Sequence, residues 1–147
     1  MKKVDQAVSY FKQGFLCSQA ILATYGEPLG LDRNTALKIA EGFGGGMASM
    51  GETCGAVTGA FMVIGLKHGR TEAQDREARH RTHELVREFT SRFASRNASI
   101  VCRNLLGCDI NTPEGTAMAR EKGLFTTVCP KLVGDAAEIL EELGLGE

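Results

Sequence analysis

The hydrophobic positions of this chain recur at the spacing of α-helices. At the beginning, residues at i, i+3, i+4 and i+7 form the apolar stripe of an amphipathic helix, namely Val4, Ala7, Val8 and Phe11. Gly14 interrupts this stripe and separates it from a second apolar segment over residues 15–25. No segment alternates apolar and polar residues for long enough to indicate a strand. The pattern therefore predicts an all-α fold.

Side chains that cap helix N-termini stand before the later apolar segments. They are Asp32, Thr53, Thr71, Ser99, Thr112 and Thr127. Thr71 and Gln74 match the capping box, and Pro113 follows Thr112 at the first helical position. The last segment has an apolar stripe formed by Leu132, Val133, Ala136, Ala137, Leu140 and Leu143. We predict a single domain over residues 1–147, a compact bundle of about six to seven helices.

A glycine-rich segment, GGGMASMGETCGAVTGAF at residues 44–61, places six glycines around Cys54. Consecutive glycines can adopt positive φ at low cost, which allows a tight turn beside a thiol. In the helix predicted over residues 54–67, small residues leave room for a neighbouring helix or a bound group. We therefore predict a glycine-rich loop that leads into a small-residue central helix. The candidate cofactor-binding residues are Gly44, Gly45, Gly46, Gly55 and Gly59.

Charge and composition narrow the class of partner. The 147 residues include 17 Lys and Arg against 18 Asp and Glu, a net charge of −1, so no global field attracts nucleic acid or anionic lipid. Polar residues interrupt the apolar run that an N-terminal signal peptide needs. The apolar run over residues 56–66 is far shorter than the roughly 20 residues that span a bilayer. We predict a cytoplasmic protein whose partner is a small molecule or a redox partner protein, without a membrane or nucleic-acid partner.

The five cysteines are the residues with the clearest chemistry. Cytoplasmic cysteines are normally reduced unless they bind metal or take part in redox reactions. The chain has no Cys-x-x-Cys pair, which excludes the thioredoxin, zinc-ribbon and ferredoxin motifs. Cys108 follows a glycine in a loop, and we interpret it as an incidental thiol. The other four lie in or near predicted helix first turns, where backbone N–H groups and the helix dipole favour a thiolate: Cys17, Cys54, Cys102 and Cys129.

The segments around these four cysteines resemble a known family. They are GFLCSQA around Cys17, GFGGGMASMGETCGAVTGA around Cys54, SIVCRNLLGCD around Cys102 and VCPKLVGDAAEIL around Cys129. In this order they are similar to the C-GCAxxG-C-C family of redox-active proteins, small helical proteins named for their cysteine pattern. The resemblance covers nearly the whole chain, although this chain reads Cys-Gly-Ala where the family label reads Gly-Cys-Ala. The resemblance implies a redox role for the cysteines and fixes neither reaction nor substrate.

Three functions stay open at this point. In the first, which needs no cofactor and would be oxidoreductase-like, Cys54 cycles between dithiol and disulfide with a partner among Cys17, Cys102 and Cys129. In the second, the same four cysteines bind zinc, another metal or an iron–sulfur cluster, for which thiolates are suitable ligands. In the third, a structural helical protein holds inert buried thiols and forms a homodimer through its small-residue helix.

Overall fold

The computed structural model describes residues 2–146, which form eight α-helices and two short 3₁₀ turns. The α-helices are α1 (Lys3–Lys12), α2 (Cys17–Gly26), α3 (Arg33–Ala40), α4 (Gly55–His68), α5 (Arg76–Asn97), α6 (Cys102–Leu106), α7 (Pro113–Glu121) and α8 (Leu124–Glu142). The 3₁₀ turns, Glu27–Leu29 and Glu41–Phe43, follow α2 and α3. The described residues contain no strand, and none of their helices is both long and apolar enough to cross a membrane. The all-α prediction is confirmed, with more helices than predicted.

Helices α2 and α4 form the centre of the fold. Every residue of α2 is buried, and so are residues 55–60 of α4. Glycine allows the two backbones to approach closely, because a methyl group at Gly59 would lie 3.0 Å from the carbonyl oxygen of Ser18 and 3.1 Å from Cβ of Ile21. Helix α3 packs against α2, and α5 packs against α4. The small residues of α4 therefore set the spacing of the central helix pair.

Helix α8 packs against α1, α2, α4 and α5 and so closes the core. Its buried face includes the residues that the apolar pattern predicted, Leu132, Val133, Ala136, Ala137 and Leu140, whereas Leu143 is half-buried. The buried Tyr25 hydroxyl of α2 donates a hydrogen bond to the carbonyl oxygen of Ala137 at 3.3 Å. This bond joins two helices that lie far apart in the sequence.

Two of the predicted helix caps are confirmed. The Asp32 carboxylate accepts a hydrogen bond from the backbone N–H of Thr35 at 3.1 Å, and α3 begins at the next residue. The Thr112 hydroxyl accepts one from the N–H of Gly115 at 2.9 Å, and α7 begins at Pro113. Each side chain satisfies a backbone donor that the first helical turn leaves without an intrahelical partner.

The predicted caps of α4 and α5 are wrong. The N-cap of α4 is Cys54, because the backbone of Thr53 forms an isolated antiparallel bridge with Val101. Helix α5 begins after Asp75, whose carboxylate accepts a hydrogen bond from the N–H of Ala78 at 3.1 Å. The capping box predicted at Thr71 is not formed, because Asp75, which directly precedes the first helical residue, caps the helix instead.

The predicted caps of α6 and α8 are also wrong. The Ser99 hydroxyl accepts a hydrogen bond from the N–H of Val101 at 3.0 Å in the turn before α6, and that helix begins only at Cys102. Gly123 adopts a left-handed conformation with φ +67° between α7 and α8, and α8 begins directly after it. Thr127 therefore lies inside α8, where its hydroxyl bonds to the carbonyl oxygen of Gly123 at 2.9 Å.

Candidate functional site

Four thiols line a single cavity of about 390 Å³, which we call the cysteine cavity. Cys17 is the first residue of α2, Cys54 is the N-cap of α4, and Cys102 is the first residue of α6. Cys129 lies within α8 beyond its first turn, so its predicted place at a helix start is wrong. All four are buried free thiols, whereas Cys108 is half-buried and does not line the cavity. The fold thus brings together the four cysteines that the sequence singled out.

A short backbone bridge holds Cys54 and Cys102 at the cavity. On one side of the bridged pair, the N–H of Cys54 donates to the carbonyl oxygen of Ile100 at 2.8 Å. On the other side, the N–H of Cys102 donates to the carbonyl oxygen of Glu52 at 2.6 Å. Because each cysteine directly follows a bridged residue, the two side chains leave the bridge on the same face. The bridge therefore fixes two thiols from segments that are distant in the sequence.

Cys17 and Cys129 both line the cysteine cavity, and each thiol shifts the pKa of the other. As the donor to a Cys129 thiolate, Cys17 lowers the pKa of Cys129, and this effect outweighs the opposing effect of burial. The same hydrogen bond, together with burial and the negative charge of neighbouring thiolates, raises the pKa of Cys17 well above its ordinary value. The pair therefore favours one thiolate and one thiol.

Burial dominates at the other two thiols. It raises the pKa of Cys54 to about 11, although the backbone N–H groups of Ala56 and Val57 at the start of α4 lower it. Burial and then the charge of neighbouring thiolates raise the pKa of Cys102 to about 12, against a lowering effect of Arg103. The expected stabilisation of a thiolate at a helix start thus exists at Cys54 and is smaller than the cost of burying the charge.

The glycine-rich segment packs against the cysteines at two points. Gly46 has φ +71°, and a methyl group there would lie 2.7 Å from Cβ of Cys102. Gly55 meets the start of α2, where a methyl group would lie 3.3 Å from Cβ of Cys17. Any larger residue at Gly46 would therefore displace either the loop or Cys102.

The five candidate glycines have different surroundings. Gly45, Gly46 and Gly55 line the cysteine cavity, whereas Gly44 and Gly59 do not. Gly45 has a positive φ of +65°, but Gly44 has φ −71°, so the positive φ expected there is wrong. Gly44 instead allows close packing, since a methyl group on it would lie 2.5 Å from Cδ1 of Leu16. Left-handed backbone continues beyond the glycines through Met47, Ala48 and Ser49.

The rest of the cavity wall is mainly apolar and was not identified from the sequence. Aromatic rings line it from α1, from the segment before α2 and from α8, namely Phe11, Phe15 and Phe125. Two polar side chains of α7, Thr116 and Arg120, lie one turn apart on the face that lines the cavity. Their four-residue spacing is a signal in the sequence, but only the packing of α7 shows that this face meets the cysteines.

The residues described, 2–146, contain no group of three or more His, Cys, Asp or Glu side chains arranged to hold a metal ion. The four thiols nevertheless belong to the ligand class that zinc and iron–sulfur clusters use.

The comparison with known families finds a match. The family model described as "Putative redox-active protein (C_GCAxxG_C_C)" matches residues 15–143, which include all four cavity cysteines. The chain belongs to this family. It has no match among curated proteins and none among solved structures.

Proposed function

We propose that this protein carries out thiol–disulfide exchange, with Cys129 as the attacking thiolate and Cys17 as the thiol that completes the disulfide. The observation that supports this assignment is that Cys17 and Cys129 line one cavity, where the Cys17 thiol as a donor lowers the pKa of Cys129. A thiolate is the nucleophile in such exchange, and a neighbouring thiol is needed to resolve the mixed disulfide. This proposal places the reaction at Cys129 rather than at Cys54.

The reaction consumes a disulfide, R–S–S–R, as the oxidant. The Cys129 thiolate attacks one sulfur of this disulfide, so that a Cys129–S–S–R bond forms and R–S⁻ leaves. Cys17 then attacks the Cys129 sulfur and releases the second R–S⁻. Cys17 gives its proton to one released thiolate and the other takes a proton from water, so the products are the Cys17–Cys129 disulfide and two R–SH. The reverse reaction oxidises two R–SH to R–S–S–R and returns both electrons to the protein as two thiols.

The pKa of Cys17 suits the second step. Its pKa is raised first by the hydrogen bond with Cys129, then by burial, and then by the negative charges nearby. Once Cys129 is a mixed disulfide, it has no negative charge and no longer favours the protonated form of Cys17. The pKa of Cys17 therefore falls after the first step, when a nucleophile is needed.

The test is to count thiols before and after exposure of the reduced protein to the neutral compound hydroxyethyl disulfide. We expect the protein to lose two titratable thiols, and tryptic mass spectrometry to show a peptide pair joined through Cys17 and Cys129. Cys17→Ser and Cys129→Ser should not form this pair, whereas the matched control Cys108→Ser should behave as the unaltered protein does. An unchanged thiol count, or the same loss in Cys129→Ser, would contradict the proposal.

A second candidate function is the binding of zinc or an iron–sulfur cluster, and the observation that favours it is that four thiols line one cavity. Metal analysis and a visible spectrum of anaerobically purified protein test it. A stoichiometric metal that is lost in Cys54→Ser and Cys102→Ser would support metal binding, because the exchange mechanism does not use these two thiols. A colourless protein without metal would support the dithiol function.

A further inference from the structure

The cysteine cavity is larger than dithiol chemistry alone requires. Its volume of about 390 Å³ is in the range of small-molecule sites, and three phenylalanine rings and several aliphatic side chains line it beside the thiols. Phe15 lies just before Cys17 in the sequence, and Phe125 lies one turn before Cys129 on α8. A ligand whose sulfur reaches Cys129 would therefore have its carbon chain against aromatic and aliphatic surface, which favours an apolar chain.

Arg120 is the only charged residue among the described residues that line this cavity. It is an exposed residue in the last turn of α7 and therefore lies at the rim. Arg92, Arg96 and Arg103 form ion pairs with carboxylates, whereas Arg120, like the six other arginines, has no carboxylate of residues 2–146 within ion-pair distance. A guanidinium presents a planar set of N–H donors that matches a carboxylate. The cavity thus combines an apolar interior with one cationic donor at its entrance.

We propose that the cysteine cavity binds an apolar thiol or disulfide whose carbon chain ends in a carboxylate. The sulfur end meets Cys17 and Cys129, the chain lies against the phenylalanine rings, and the carboxylate pairs with Arg120. A single negative charge fits best, because the cavity supplies one cation and a second charge would be left without a partner beside apolar walls. This inference rests on the proposed exchange function and adds its substrate class.

Octanoate and octanamide test the carboxylate site without redox chemistry, since they share an apolar chain and differ in charge. The measurement is the rate at which iodoacetamide alkylates Cys129 as either compound is titrated. We expect octanoate to protect Cys129 at up to about fivefold lower concentration than octanamide, the upper end of what an exposed ion pair contributes. Arg120→Gln should abolish this difference, and the matched control Arg87→Gln, an exposed arginine on α5, should retain it.

Equal protection by the two compounds, no protection by either, or a difference that survives in Arg120→Gln would overturn the carboxylate site.

A second measurement uses a dithiol substrate. The protein is oxidised with hydroxyethyl disulfide, and its reduction by dihydrolipoate is compared with that by the neutral dihydrolipoamide. Two thiols of the reductant become one disulfide while the protein disulfide becomes two thiols. We expect dihydrolipoate to react about fivefold faster than dihydrolipoamide. In Arg120→Gln the two reductants should react at the same rate.

These outcomes separate the two proposals. If hydroxyethyl disulfide produces the Cys17–Cys129 disulfide but octanoate and octanamide protect equally, the exchange function stands and the carboxylate-bearing substrate is wrong. If octanoate protects selectively but no disulfide forms, the exchange function is wrong, and so is the thiol or disulfide part of this inference.

Discussion

At the scale of single residues, the surroundings of each sulfur determine its pKa more than its position on a helix. Cys54 caps α4 and receives the influence of two backbone N–H groups, yet burial raises its pKa to about 11. Cys129 lies beyond the first turn of α8, yet its pKa is lowered because Cys17 donates a hydrogen bond to it. Helix-start reasoning therefore selects Cys54, whereas the proposed exchange reaction has Cys129 as its nucleophile.

Removal of Cys17 should change the reactivity of Cys129. In Cys17→Ala the hydrogen-bond donor to the Cys129 thiolate is absent, so the pKa of Cys129 should rise and its thiolate fraction at neutral pH should fall. We expect the pH profile of Cys129 alkylation by iodoacetamide to shift to higher pH, with a slower rate at pH 7 than in the unaltered protein. Peptide mass spectrometry after timed quenching measures the rate at each pH.

Cys108→Ala is the control for this experiment, since Cys108 lies outside the cysteine cavity. It should leave the Cys129 profile unchanged. If Cys17→Ala and the unaltered protein gave superimposable profiles, the hydrogen bond would not be what makes Cys129 reactive. If no cavity thiol reacted before unfolding, the thiols would be the inert buried residues of a structural protein.

At the scale of secondary-structure elements, the sequence predicts helix positions well and helix starts unevenly. Asp32 and Thr112 act as caps because their other hydrogen bonds, from the Thr35 hydroxyl to Asp32 and from Thr112 to the carbonyl oxygen of Asp109, are local and leave the capping bonds in place. Thr53 fails as a cap because its backbone pairs with Val101, a residue remote in sequence. Gly123 starts α8 earlier than Thr127 would, because one left-handed residue is enough to separate two helices. Local chemistry thus predicts a cap only where no tertiary contact or stronger neighbouring signal intervenes.

Two glycines of α4 should respond in opposite ways to the same substitution. At Gly65 an added methyl group meets nothing within 4 Å, so Gly65→Ala should stabilise the protein by about 0.5–1 kcal/mol through helix propensity. At Gly59 the methyl group would lie 3.0 Å from a backbone oxygen of α2, so Gly59→Ala should destabilise it by about 1–3 kcal/mol through overpacking. Urea denaturation of the two variants measures both changes in the free energy of unfolding.

Gly65→Ala serves here as the matched control, because both positions lie in the same helix and gain the same propensity. The close approach of α2 and α4 would be refuted by a Gly59→Ala variant as stable as Gly65→Ala. A loss of stability in Gly59→Ala would also support the position of Cys17 in the cysteine cavity, since the same helix contact places Gly55 against Cys17.

At the scale of the whole molecule, the fold converts four scattered cysteines into one site. They come from α2, α6, α8 and the start of α4, and the chain between them forms most of the core. The cysteine segments identify the family from sequence alone, and the family model matches the same region. Which thiols meet, and that Arg120 joins them, depends on how α7 and α8 pack and could not be read from local pattern.

Oxidation should stabilise the whole fold if Cys17 and Cys129 form the disulfide. The bond would close a loop of about 110 residues, and a cross-link of that span restricts the unfolded chain enough to contribute about 2–4 kcal/mol. Its two ends lie on α2 and α8, which pack against each other and which the Tyr25–Ala137 hydrogen bond also links. We expect a higher thermal midpoint for protein treated with hydroxyethyl disulfide than for reduced protein, measured by circular dichroism.

The same treatment should leave the midpoint of Cys129→Ser unchanged. An oxidised midpoint equal to or below the reduced one would show that joining Cys17 to Cys129 strains the fold. Because the same free energy is linked to both processes, a disulfide that stabilises the fold is also harder to reduce in the folded protein than in the unfolded chain.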